Sequence, residues 1–165
     1  MKSTSNHTVE SIRALLQEVK DPEIPTISLI DLGVITDIDI SEDQTVLVRM
    51  TPTFAGCPAM DYMKNNVIEV LEEHGILSHK VEMNFDVAWT TNNITSKGLA
   101  GIKAHGLAPP PKHDLIIDIE LINKSRCPSC DSVDTEMKSP FGPTLCRSLH
   151  YCNNCLQAFE QFKPL

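Results

Sequence analysis

Six cysteines are the residues of this chain best suited to metal or redox chemistry, and their spacing divides them into kinds. Cys127-Pro-Ser-Cys130 and Cys152-Asn-Asn-Cys155 form two C-x-x-C knuckles with 21 residues between them. Each knuckle turns tightly enough to aim two thiolates at one point, so the pair supplies the tetrahedral four-sulfur set that Zn²⁺ prefers. No secretory pattern is visible in the polar stretch Met1–His7, and thiols kept reduced in the cytosol read as ligands rather than disulfides. With all four positions filled by protein, Cys127, Cys130, Cys152 and Cys155 predict a structural ion with no open position for water or substrate. An iron site with the same four thiolates is the alternative occupant. Cys146 lies six residues before Cys152, about 20 Å along a strand at about 3.3 Å per residue, and so falls outside the set. It reads either as a small apolar residue or as a separate thiol. His150 reads as packing on its strand, because four thiolates already satisfy the metal.

Cys57 stands apart from this cluster. Pro58 suits the first position of a helix, since its missing N–H is not needed there, which predicts Cys57 at the N-cap of a helix ending near His74. Unpaired N–H groups and the positive end of the helix dipole would then face its sulfur and favour the thiolate, the form that attacks electrophiles or binds soft metals. Asp61 in the first turn opposes this, and no histidine lies close in sequence to serve as a base. A small residue packed at a helix start is the competing reading. Asp21, Glu23 and Asp31 could gather oxygen ligands around the same region, although loop carboxylates are also found simply solvated.

These residues need elements to hold them. Ile12, Leu15, Leu16 and Val19 recur at helical spacing and predict a first helix from Thr8, stopped by Asp21-Pro-Glu and Pro25. Ile27–Ile40 is strand-like with a break near Asp31–Gly33, and a strand at Gln44–Thr53 follows a Ser-Glu-Asp turn, predicting a hairpin. The Cys57 helix carries Met60, Met63, Val67, Val70 and Leu71, with Gly75 as its C-cap. Lys80–Trp89 alternates with Val81, Met83, Phe85, Val87 and Trp89 on one face, a third strand, and Thr95–His105 is a short helix. The expected fold is α+β: a small mixed sheet with packed helices over residues 1–105, then a C-terminal four-cysteine zinc ribbon. Residues 106–113, with three consecutive prolines, read as a stiff linker. Residues 114–165 hold the ribbon and a leading strand marked by Leu115, Ile117, Ile119 and Leu121. Thr135–Lys138, a Pro-Phe-Gly-Pro turn and Leu145–Tyr151 make the ribbon's strand–turn–strand body.

Composition narrows the function classes. The chain is 41% hydrophobic and 22% charged, an ordinary folded balance. No apolar stretch approaches the roughly 20 residues of a membrane span, so no membrane partner is expected and the cytoplasm is the expected location. With 14 basic against 22 acidic residues, net −8, there is little room for a basic face that binds nucleic acid.

Longer motifs carry a resemblance. Asp21-Pro-Glu-Ile-Pro25, Asp31-Leu-Gly-Val-Ile35, Thr51-Pro-Thr-Phe-Ala-Gly-Cys-Pro58 and Asn84-Phe-Asp-Val-Ala-Trp89 resemble the metal–sulfur cluster assembly domain of cytosolic iron–sulfur maturation factors. With Gly106-Leu-Ala-Pro-Pro110, Phe141-Gly-Pro-Thr-Leu-Cys146 and Tyr151 to Lys163, nearly the whole chain resembles the D-subunit family of the bacterial phenylacetyl-CoA epoxidase system. That resemblance implies a non-enzymatic accessory factor that helps assemble or insert an iron–sulfur cluster, with the flavin- and cluster-bearing reductase subunit as the partner. Carried over by position, Cys57 becomes the thiol for transient iron or cluster binding, with Asp21, Glu23, Asp31 and Thr53 lining the same pocket. Cys127, Cys130, Cys152 and Cys155 stay zinc ligands, and Cys146 falls within the family's ribbon pattern. A lone thiolate cannot hold a cluster that wants four cysteines, so a homodimer sharing one cluster is one expectation. A docking adaptor without iron and a thiol enzyme are the others.

Overall fold

A computed structural model describes residues 7–54, 56–113 and 119–165. The chain divides into two compact units between Trp89 and Thr90. The first opens with α1 (Val9–Leu15), which runs into a 3-10 turn at Leu16–Glu18. Thr8 caps α1: its hydroxyl accepts the Ser11 N–H at 3.2 Å while Ser11 Oγ accepts the Thr8 N–H at 3.0 Å. This reciprocal pair satisfies two otherwise orphaned donors.

The first sheet has the order β1 (Ile35–Ile40), β2 (Val46–Met50), β3 (His79–Met83). β1 and β2 are antiparallel, as a short hairpin requires, whereas β2 and β3 are parallel and are joined by α2 (Met60–Glu73). The sheet is therefore mixed, as expected. Alternation sends Val46, Val48 and Met50 of the central strand inward, each with no exposed surface. α2 in turn buries Met63, Val67 and Leu71 at helical spacing. Gly75 ends α2 with φ +77, its N–H reaching the Glu72 carbonyl and the Ile76 N–H reaching that of Leu71. That paired closure needs a left-handed residue, which glycine supplies without strain.

The third strand stops at Met83 instead of reaching Trp89, a correction to the sequence expectation. Asn84 makes the last main-chain contact, to the Met50 carbonyl, and its Oδ1 then accepts the Asp86 N–H at 2.9 Å, turning the chain off the sheet. Phe85 and Val87 are consequently 71% and 60% exposed, not on a common buried face, and only Trp89 returns inward.

The second unit begins with α3 (Ser96–Ala104), capped by Thr95 Oγ1 accepting the Gly98 N–H. Its contacts group it with the ribbon, whereas the sequence assigned 96–105 to the first domain. The 106–113 segment is held to the ribbon too: Ala108 N–H donates to the Glu160 carbonyl and Phe162 N–H to that of Ala108. Those two bonds pair Ala108 with β6. Leu115 and Ile117 of the expected leading strand lie outside the described residues. Its remainder is a short helix, α4 (Ile119–Asn123), closed by the Lys124 N–H on the Glu120 carbonyl. Periodicity over so few residues does not separate strand from helix. The ribbon itself is an antiparallel sheet, β4 (Thr135–Ser139), β5 (Arg147–Cys152) and β6 (Gln157–Phe162), with β5 central. The sequence anticipated the first two strands and not the third. Among the described residues no helix is long and apolar enough to cross a membrane.

Candidate metal centre and thiol loop

The two knuckles are built alike. In each, the residue after the second cysteine adopts left-handed backbone, Asp131 at φ 58 and Leu156 at φ 59. The N–H of that same residue bonds back to the carbonyl of the first cysteine, at 3.0 Å to Cys127 and 2.9 Å to Cys152. Left-handed leucine is costly in isolation, so this closure marks a turn whose geometry is imposed by what it holds. The four sulfurs of Cys127, Cys130, Cys152 and Cys155 lie within 4.8 Å of one another. Cys127 and Cys155 are 3.7 Å apart, Cys130 and Cys152 3.6 Å. A disulfide needs about 2.05 Å, whereas a tetrahedral ion with sulfurs at about 2.3 Å separates them by about 3.8 Å. The set fits one four-coordinate metal and no disulfide.

Electrostatics around the sulfurs points the same way. The Asn154 amide donates to Cys130 Sγ at 3.5 Å and, with backbone N–H help at Ser132, brings that thiol down to about 6. Burial, with the neighbouring sulfurs, pushes Cys155 up to about 12. Burial and the neighbouring sulfurs thus oppose ionisation of Cys155, and a bound dication would remove that conflict by favouring the thiolate. Asn154 was invisible as a participant in the sequence because any residue fits between knuckle cysteines. Cys146 lies outside the set, half-buried, with Thr144 Oγ1 3.1 Å from its sulfur. His150 packs on the strand as expected, fully buried and stacked on Phe159 with ring centroids 5.4 Å apart.

In the first unit, three connections gather at one end of the sheet. Thr51 N–H bonds to the Val34 carbonyl at 2.8 Å, Asn84 N–H to that of Met50 at 2.7 Å, and Trp89 Nε1 to that of Leu32 at 3.1 Å. This is the carboxyl end of the parallel pair β2 and β3, where open sheets with parallel strands commonly place ligands. Cys57 sits on the connection leaving β2, half-buried and with a free thiol. Gly56 precedes it at φ +85, and two turns flank it, Cys57 N–H to the Phe54 carbonyl and Met60 N–H to the Cys57 carbonyl, each 3.3 Å. Those turns consume the backbone at Pro58 and Ala59, so α2 is capped at Ala59 and begins at Met60. Cys57 therefore lies two residues before the N-cap, not on it.

The pocket residues are placed less uniformly. Asp31 is buried on the 28–34 connection, its Oδ2 accepting from Ser28 Oγ at 2.8 Å, and Thr53 is half-buried on the Cys57 connection. Asp21 Oδ1 accepts the N–H groups of Glu23 and Ile24 at 2.9 and 2.8 Å, a turn-making role, while Glu23 is exposed. Asp21 lines a 460 Å³ cleft beside Tyr62, Asn66 and Glu69, and Cys57 is not among the residues lining it. Among the described residues, the knuckle cysteines are the one group of His, Cys, Asp or Glu side chains close enough to share an ion. Cys57, Asp21, Glu23 and Asp31 thus do not form a preassembled metal site.

Comparison with known proteins places both units. Residues 119–163 match the family described as the PaaD zinc beta ribbon domain, and residues 9–81 that described as iron–sulfur cluster assembly protein. A protein of Escherichia coli (strain K12), provisionally named as the D-subunit of 1,2-phenylacetyl-CoA epoxidase, is 34% identical over 94% of this chain and 92% of its own length. An Fe-S protein maturation auxiliary factor of Porphyromonas gingivalis (strain ATCC BAA-308 / W83) is 33% identical over 56% of this chain and 88% of its own. The crystal structure of a domain of unknown function, DUF59, from Bacillus anthracis superposes with a TM-score of 0.53 at 22% identity, covering 56% of this chain and 89% of that one.

Proposed function

Since this chain belongs to the phenylacetyl-CoA epoxidase D-subunit family, we propose that it is an accessory maturation factor of that epoxidase system. In this reading it helps assemble or insert an iron–sulfur cluster, with the reductase subunit as its client. The observation that carries the reading is the half-buried free thiol of Cys57, presented at the carboxyl end of the parallel strands in a fold matched by the cluster-assembly family. The chain acts as a carrier, not a catalyst, and zinc fills the four-thiolate site as a structural ion.

The chemistry asked of Cys57 is ligand exchange. Its thiolate binds an iron atom of the cargo; as a client thiolate forms its own bond to that iron, the Cys57–iron bond breaks and the freed sulfur regains a proton. One protein thiolate is a weak anchor for a cluster, which suits a donor that must release. Two copies, each contributing Cys57, would hold the cargo more firmly, and a stable cluster on a monomer would rule that arrangement out.

The test is metal and sulfide content, with absorption spectra, of anaerobically purified wild type and Cys57→Ser. The expected result is about one zinc per chain in both, with iron and sulfide in the wild type only. Zinc alone in both proteins would refute the carrier reading. It would favour an adaptor that grips epoxidase subunits, a role to which the ribbon's exposed Phe141, Leu145 and Leu156, at 70%, 63% and 69%, are suited.

A further inference from the structure

The four sulfurs of the ribbon site are not equally reachable. Cys127 and Cys152, the first cysteine of each knuckle, have no exposed surface, while Cys130 and Cys155, the second of each, are half-buried. A reagent that approaches the metal-loaded site therefore meets Cys130 or Cys155 first. Each of these two sulfurs accepts a main-chain N–H from shortly after it in the chain, that of Ser132 at Cys130 and that of Gln157 at Cys155. To this point the two knuckles are equivalent.

One side chain breaks the equivalence. Asn154, in the second knuckle, reaches across to the first and donates its amide to Cys130 Sγ at 3.5 Å. A sulfur carrying negative charge accepts from Nδ2 and repels Oδ1, so the amide has one favourable orientation. Its reach is held by its neighbour: Asn153 N–H bonds to the Asp134 carbonyl at 2.9 Å and Asn153 Nδ2 to Asp134 Oδ1 at 3.0 Å, fixing the second knuckle against the chain that leaves the first. The counterpart of Asn154 in the first knuckle is Ser129, which is exposed, and among the described residues its hydroxyl does not reach Cys155. The side chains bonded to Cys155 Sγ, among the described residues, are those of the other cysteines.

An N–H donated to a thiolate draws charge from the sulfur and makes its lone pair a poorer nucleophile. Groups that bond to a metal's ligands commonly change affinity or activity by about 10–100-fold. A donor on one of two otherwise matched sulfurs thus separates them by chemistry rather than by access.

We propose that Asn154 directs the reactivity of this site, shielding Cys130 and leaving Cys155 as the ligand at which a soft, thiol-alkylating electrophile reacts. In that step the Cys155 sulfur forms a bond to carbon, the carbon–halogen bond breaks and the halide leaves. The thioether so formed has lost the negative charge that favours a dication, so modification at this one position weakens the hold on the metal. The assignment concerns the ribbon alone and stands whether or not Cys57 carries iron.

Zinc-loaded full-length protein is treated with iodoacetamide, and alkylation is followed at each cysteine by peptide mass spectrometry. Among the four ligands Cys155 should react first, about tenfold faster than Cys130. Asn154→Ala should bring Cys130 up to the rate of Cys155, while Cys57 and Cys146 keep theirs and about one zinc per chain is retained. Replacing zinc by Co²⁺ adds a readout that a packing role would not move: without the N–H, the sulfur-to-cobalt charge-transfer band should shift to lower energy. The order of reaction in the wild type tests the proposal even if Asn154→Ala holds its metal poorly. Equal rates at Cys130 and Cys155 in the wild type, or an Asn154→Ala protein with an unchanged order or an unchanged band, would each overturn it. Simultaneous loss of all four thiols would overturn it too, since the reagent would then act only after the ribbon opens.

Discussion

His150 shows how a single residue sets a measurable property of the ribbon. Its ring has no exposed surface, Nε2 lies 2.9 Å from Ser148 Oγ, and burial holds its pKa below the ordinary 6.5 despite the opposing influence of the Gln161 side chain. A histidine whose folded pKa is depressed is neutral in the native state while its unfolded counterpart takes up a proton. Its contribution to stability is therefore complete above about pH 6.5 and is lost as pH falls from there toward the folded pKa. Melting curves of metal-loaded wild type and His150→Gln should differ most above pH 7 and converge toward pH 5. A pH-independent gap would show that the histidine contributes packing alone. Asp21 and Asp31 show the opposite case, carboxylates whose chemistry looks available in the sequence. Each has local bonds, Asp21 to backbone N–H groups and Asp31 to Ser28. Short acidic side chains close turns as readily as they gather ligands, and composition alone does not separate the two uses.

The connection between β2 and α2 carries the candidate thiol, and one element-scale feature fixes its course. Gly56 lies at φ +85 with open space where a Cβ would go. Gly56→Ala should therefore cost about 1–2 kcal/mol through backbone strain, not through a clash. Urea denaturation of the metal-loaded variant checks this, and an unchanged midpoint would mean the turn relaxes freely. The same connection shows what was legible in the sequence. The end and buried face of α2 followed from its 3.6-residue period and its Gly75 stop. Its start did not, because Pro58 is equally at home in the turn before a helix and at its first position. β6 was missed because Leu156 and Gln157 follow the second knuckle directly and Phe159–Phe162 shows no clean alternation. The four-thiolate site was fully legible: two knuckles at this spacing specify their geometry locally. The inward pair of His150 and Gln161 was not, since it comes together only through the register of β5 on β6.

At the scale of the whole chain, the two units rest on different sources of stability. The first buries a continuous apolar set, including Ile12, Leu16, Leu29, Val46, Met50 and Leu71, each at most 1% exposed. Burial of that kind contributes about 1.5–3 kcal/mol per large side chain and needs no ion. Among the described residues, the buried apolar cluster around the metal site of the second unit is Ala108, Cys127, Cys152 and Phe159, two of them ligands. A structural zinc contributes on the order of 10–16 kcal/mol of apparent binding energy, far more than so small a cluster supplies. Removing the ion also leaves Cys127 and Cys152 as buried thiols in a knuckle geometry that nothing then enforces. A strong chelator should accordingly abolish hydrogen-exchange protection across residues 127–162 while strands 35–40, 46–50 and 79–83 and helix 60–73 keep theirs. Re-addition of zinc should restore the lost protection. Loss of protection in both units together would mean that the first depends on the second for stability, and protection retained throughout would mean that the ribbon folds without its metal.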